Sequence, residues 1–224
     1  MTENLTMDPG LRMLLLMFVV GSLILGEIVA RLSPGWGYAG GKSVMRGLML
    51  LMVGVYAGSL LAVSLTSREK VLPRGTDLRF CGFYFDCHMG VAVDSVVRTP
   101  TLGEARAQGE FVVVALRVSS NAIRATMRMA NPRYEVLAAA GRRYERSAAG
   151  EAAFTGLTGA KPALVQPVAA GGAYNTVVVF DLPANIQLPR LLVRDVSGVD
   201  VVLEGLLIGD EDSFLHQPTT LALQ

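Results

Sequence analysis

The chain has 224 residues, 51% of them apolar, and its mean hydropathy of +0.43 lies above that of an ordinary soluble domain. Twenty Lys plus Arg stand against nineteen Asp plus Glu, a formal net charge of +1, and from Ser67 onward sixteen bases meet sixteen acids. No basic field favours nucleic acid, and none is expected as a partner. With two histidines, two cysteines, no G-x-S-x-G and no Walker loop, the sequence offers no catalytic set; neither catalysis nor a cofactor is expected.

The first elements are two apolar runs, Met13–Ala30 and Gly47–Leu65, each about as long as a bilayer core requires of a helix. They predict a two-helix membrane anchor over residues 1–66. The preceding Met1–Arg12 carries Glu3 and Asp8 against Arg12 alone, unlike the positive n-region of a signal peptide, and no small-residue cleavage pattern follows. The first helix is therefore expected to be retained. Between the runs, Arg31–Arg46 contains Pro34, Gly35, Gly37, Gly40 and Gly41, which suit a tight turn and are not expected to continue either helix.

Arg31, Lys42 and Arg46 in that connection outnumber the single Arg12 before it, which places the loop in the cytoplasm and both ends outside. Arg68, Lys70 and Arg74 after the second run argue for the opposite orientation. The expectation is a multi-pass protein of the cytoplasmic membrane with its C-terminal domain on the extracytoplasmic side. Glu27 is expected to pair with Arg31 one turn later. Gly54-x-x-x-Gly58, continued by Ala62, and Gly26 with Ala30 form small-residue stripes that permit close contact inside the hairpin or in a homodimer. Trp36 and Tyr38 suit the interfacial aromatic belt.

From Phe80 onward, short β-rich stretches alternate with turn residues. Strands are predicted at Gly90–Val97, Glu110–Ser119, Arg133–Ala138, Thr176–Leu182, Arg190–Val196 and Val199–Ile208. The runs Phe111-Val112-Val113-Val114 and Val177-Val178-Val179-Phe180 are continuous rather than alternating, as in strands buried deep in a two-layer core. Ala148–Lys161 reads equally as a short helical turn or a loop. The fold expected for residues 67–224 is mainly β, an antiparallel β-sandwich followed by a C-terminal tail after Gly209.

The order of these pieces resembles a known family. A strand Phe111–Val118 leads to Asn121; Tyr134-Glu135-Val136-Leu137 precedes Gly141-Arg142-Arg143-Tyr144; and Gly171-Gly172 leads to Val177–Phe180 and Asp181-Leu182-Pro183. Over about Gly90 to Ile208 the chain is similar to the telokin-like, immunoglobulin-fold domain of bacterial surface proteins. The resemblance implies an exported sandwich and assigns no catalytic residue. The hairpin anchor, the Cys81–His88 segment and the tail depart from it.

Cys81-Gly82-Phe83-Tyr84-Phe85-Asp86-Cys87-His88 is the most unusual stretch, and several chemistries fit it. Cys81 and Cys87 suit a small disulfide in an oxidising compartment. The two thiolates with His88, and Met89 beside them, are ligand types for Cu(I) or Zn, although the spacing matches no standard zinc pattern. A redox switch lacks the close C-x-x-C spacing. Phe83, Tyr84 and Phe85 suit core packing, an exposed contact patch or the membrane interface. Arg124, Arg128, Arg133, Arg142, Arg143 and Arg146 form a basic cluster that reads as a solvated face or as a site for acidic groups. The function expected is a protein-interaction or accessory module of the cell envelope, with the bilayer and another envelope protein as partners. A metal- or redox-responsive envelope protein using Cys81, Cys87 and His88 is the alternative.

Overall fold

The computed structural model describes residues 9–32, 39–80, 87–196, 200–210 and 212–224. The chain divides into two compact units, one built on the N-terminal helices with Val201–Gln217, the other on Glu69–Asp200 with Pro218–Gln224.

The first unit opens with α1 (Pro9–Leu32) and α2 (Ala39–Thr66). Within them Gly10–Leu32 and Gly41–Thr66 are long and apolar enough to cross a membrane, with mean hydropathies of 2.4 and 2.2. α2 runs back through Gly40 and Gly41, where the sequence suggested a turn. A glycine costs a helix about 1 kcal/mol, which an already nucleated, strongly apolar helix absorbs. Leu16 and Gly26 of α1 and Leu60 and Ser64 of α2 are buried. A Cβ on Gly26 would overlap the terminal methyl of Met49, so the two helices meet here through a flexible side chain. A Cβ on Gly54 or Gly58 would meet nothing within 4 Å; their stripe is not used against α1. Arg31 Nε donates to Glu27 Oε1 at 2.8 Å, the pair that the spacing predicts.

The second unit holds β1 (Lys70–Leu72), β2 (Leu78–Phe80), β3 (Met89–Leu102), β4 (Ala105–Ser120), β5 (Pro132–Leu137), β6 (Arg143–Tyr144), β7 (Ala173–Leu182), β8 (Arg190–Asp195) and β9 (Thr219–Ala222). Strands β2-β3-β4-β7 make one antiparallel sheet. Strands β1-β9-β8-β5-β6 make the other. Its β1 and β9 run parallel, Lys70 beside Thr219, so the sheet is mixed rather than antiparallel throughout. One core joins the sheets: Val91, Val112, Val114, Leu116 and Phe180 from the first meet Tyr134, Val136, Leu191, Val193 and Leu221 from the second. This is the two-layer arrangement expected of alternating short strands.

Over the whole chain helix and strand occupy comparable shares, because α1 and α2 are helical, whereas residues 67–224 are mainly β as expected. The tail is corrected: residues 219–222 form β9, between β1 and β8, with Thr220 and Leu221 fully buried.

A further helix, α3 (Ala148–Thr158), explains the continuous valine runs. Ser147 caps it, its Oγ accepting from Gly150 N at 3.1 Å, and Gly159 ends it at φ 72°. Val112, Val114 and Phe180 belong to the core between the sheets. Phe111 and Val179 lie under α3, where a Cβ on Gly150 would come within 2.6 Å of Val179 and 3.2 Å of Phe111. The sheet is thus covered on both faces, and both faces of its central strands are apolar.

The predicted strand Val199–Ile208 is instead the helix α4 (Asp200–Leu206), and it belongs to the unit of the hairpin. Its Val-Val-Leu start has β propensity, which packing readily overrides. Leu203 and Leu207 are half-buried and Ile208 buried, at the spacing of one helical face, while Val202 and Leu206 are exposed on the other. Tyr56 Oη donates to Leu206 O at 2.8 Å, Ser64 Oγ meets Ser213 Oγ at 3.3 Å, and Arg12 pairs with Asp210 at 3.3 Å.

Candidate functional site

The second unit carries a cleft of about 840 Å³ along one side of α3. Ala148, Ala152 and Thr155 form its helical wall, and Pro162, Ala163 and Leu164 the wall opposite. Val177 lies between them, on β7, the edge strand of its sheet. Tyr174 Oη donates to Leu164 O at 2.9 Å and ties the far wall to that strand. Ser147 N donates to Val179 O at 2.7 Å and ties the near wall to it. Arg146 also lines the cleft and pairs with Glu151 at 2.7 Å, and Lys161 adds a second cation. Thr155 Oγ1 is occupied by Glu151 O at 2.8 Å. The lining therefore offers methyl surface, two cations and one paired acid.

Cys81 and the aromatic trio Phe83, Tyr84 and Phe85 lie outside the described residues, as do Trp36 and Tyr38. The expected Cys81–Cys87 disulfide therefore falls on a residue outside them. Cys87 and His88 stand at the entry to β3. His88 Nδ1 meets Asn121 Oδ1 at 2.7 Å, and His88 O accepts from Asn121 N and Arg79 Nη1, both at 3.0 Å. The imidazole thus helps join the start of β3 to the end of β4. Among the described residues no three His, Cys, Asp or Glu side chains gather as a metal would require.

Local pairing divides the basic cluster. Arg143 pairs with Glu135 at 3.3 Å, Arg146 with Glu151, and Arg142 reaches Tyr144 Oη at 3.4 Å. Arg124, Arg128 and Arg133 are exposed. The sequence reading did not single out Glu151, Thr155 or Lys161. Ser147 as a cap and Gly159 as a stop would have outlined α3, but not its partner wall.

Tyr134 is buried in the core, and among the described residues its hydroxyl has no hydrogen-bond partner. Burial, reinforced by Tyr174 and Asp195, raises its pKa far above the usual tyrosine value. The folded state keeps this proton after the unfolded state begins to release it. Ionisation of Tyr134 therefore costs the fold nothing below about pH 10, and stability falls as the pH rises beyond that. Tyr134→Phe is expected to raise stability at neutral pH by about 1–3 kcal/mol, since no hydrogen bond is lost, and to flatten the alkaline decline. Urea midpoints at neutral and alkaline pH check this; a steep decline retained in Tyr134→Phe would remove the role assigned to the residue.

Two facing sheets around one core, with a helical layer over one of them, define a β-sandwich domain. No protein-family model matches the chain, and no curated protein matches it. Among solved structures it is similar to MPT63, a secreted protein of Mycobacterium tuberculosis, at 13% identity and a TM-score of 0.40, over 60% of this chain and 95% of that one. An uncharacterized β-sandwich protein of Clostridium difficile aligns at 8% identity and a TM-score of 0.37, over 70% of this chain and 96% of that one. A conserved hypothetical protein of Bacillus anthracis aligns at 13% identity and a TM-score of 0.36, over 53% and 90%.

Proposed function

We propose that this chain is a membrane-anchored binding module. α1 and α2 cross the cytoplasmic membrane, and the sandwich, of the immunoglobulin-like, telokin-like kind, stands on the extracytoplasmic side and binds another envelope protein without catalysis. A Cys81–Cys87 disulfide belongs to the same proposal, because an exported domain meets an oxidising compartment. The observation that carries the reading is the cleft beside α3. Its floor lies at an edge strand, where an extended segment of a partner can add backbone hydrogen bonds. Its small apolar walls suit short side chains, and Lys161 suits a partner carboxylate.

The test is photocrosslinking in intact cells from a benzoylphenylalanine placed at Ala152, at Ala163 or at the exposed Leu188 of the β7–β8 connection. The expected result is one discrete adduct, with the same extracytoplasmic protein, from Ala152 and Ala163 and not from Leu188, weakened by Lys161→Glu. Equal labelling from all three positions, or none from the cleft, would overturn the proposal.

A further inference from the structure

We infer that residues 201–217 form a third membrane-embedded element, a re-entrant segment that dips into the outer leaflet beside α2 and presents apolar side chains to lipid. The inference rests on the proposal that α1 and α2 span the bilayer. It assigns a lipid contact surface to a segment that reads from sequence as part of the exported domain.

The first observation is depth. From Tyr56 to Thr66, the last residue of α2, the helix rises about 15 Å, half the thickness of a hydrocarbon core. Tyr56 also falls near the middle of the stretch between Arg46 and Arg68, which holds no charged residue. Leu206 O accepts the Tyr56 hydroxyl at 2.8 Å, so the end of α4 lies at that level. The chain then climbs α2. Gly209 lies beside Val63, Ser213 Oγ meets Ser64 Oγ, and Gln217 N donates to Ser67 Oγ at 2.8 Å. In sequence the segment lies between β8 and β9, so with the sandwich outside, as proposed, both of its ends return to that side.

The second observation is how its polar groups are met. In hydrocarbon an unpaired hydroxyl or carbonyl costs several kcal/mol. Tyr56 has a hydroxyl in the middle of an apolar helix, and Leu206 has one of the carbonyls that a helix end leaves unpaired; each satisfies the other. The turn that follows closes on itself. Leu207 N, Asp210 N, Ser213 N and His216 N donate to carbonyls three residues earlier, and Phe214 N donates back to Gly205 O at 3.0 Å. Asp210 is paired with Arg12 near the start of α1, Glu204 is half-buried, and the exposed Asp212 lies beyond them, toward the headgroup end of α2. Irregular backbone at membrane depth is tolerated where it is buried against protein, and this turn packs Gly209 and the buried Ser213 on α2.

The third observation is what remains exposed. Val202, Leu206, Phe214 and Leu215 are 65%, 45%, 60% and 53% exposed. Water would penalise this concentration of apolar surface in so short a segment. Lipid removes the penalty, as it does for the exposed apolar side chains of α2.

The test uses the full chain in liposomes, in a Trp36→Phe background, with single tryptophans introduced by Leu50→Trp, Leu188→Trp, Leu206→Trp or Phe214→Trp. Emission is compared in lipids brominated at a shallow or a deep acyl position. Leu206→Trp and Phe214→Trp are expected to lose most of their emission to bromine, Leu206→Trp more strongly to the deeper label. Leu50→Trp, in α2, is expected to be quenched and Leu188→Trp to be unaffected. Quenching of Leu50→Trp without quenching of either segment position overturns the inference and leaves the spanning helices intact. Failure to quench Leu50→Trp overturns the spanning reading, and the inference with it. If Leu206→Trp alone disturbs the helix, Phe214→Trp decides, since it lies outside α4.

Discussion

Removing Pro218–Gln224 is expected to leave the sandwich unfolded. β9 lies between β1 and β8, pairing Val71 with Thr220 and Leu191 with Leu221. Its deletion strips both neighbours of a partner strand at once. Leu221 and Leu223 are buried in the shared core, and truncating a buried leucine to alanine alone costs about 2–5 kcal/mol. Two such losses, with the ladder, exceed the roughly 5–15 kcal/mol by which a domain is stable, or come close to it. Leu221→Ala alone is expected to remain folded and lose about 2–5 kcal/mol. Near-ultraviolet circular dichroism and protease resistance of the full chain in detergent read the difference. A truncated chain that keeps a native signal and a cooperative urea transition would show that β1 and β8 close the sheet without β9.

Gly109→Ala is the second large effect, and its cause is backbone rather than side chain. Gly109, in β4, lies so close to β7 that an added Cβ would sit on the Leu182 carbonyl and 3.0 Å from Pro183 Cα. Neither atom belongs to a side chain that can turn away. The strands would have to part where Asp181 accepts from Gln108 N at 2.8 Å and from Gly109 N at 3.0 Å. Overpacking of this kind costs about 1–3 kcal/mol, and each amide left without its acceptor adds about 1 kcal/mol or more. The expected loss is about 3–5 kcal/mol, read as a fall in the urea midpoint. Asp181→Ala, which breaks the clamp without a clash, is expected to lose about half as much. A Gly109→Ala chain with an unchanged midpoint would mean that β4 and β7 are not held at this spacing in solution.

What could be read from the sequence follows how local each cause is. Glu27 and Arg31 are one turn apart on a helix, so their pairing needs no tertiary information. β3, β4 and β7 carry enough apolar residues to declare themselves alone. β1, β2 and β9 are too short for a pattern, and their state is set by partners far along the chain, Lys70 with Thr219 and Leu78 with Val91. α4 misled because its valines favour strands in isolation, whereas its contacts are with the hairpin. The cleft was not legible either. Glu151 and Lys161 acquire a shared surface only when α3 and the segment around Ala163 stand on either side of Val177.

The parallel pairing of β1 with β9 also sets a clock. Lys70 and Thr220 are 150 positions apart, so at ribosomal rates the partner of β1 emerges roughly 8–30 s after β1 itself. Until then the second sheet lacks an inner strand, and the core it shares with the first sheet stays open. The strand order thus delays closure until almost the whole domain has been delivered.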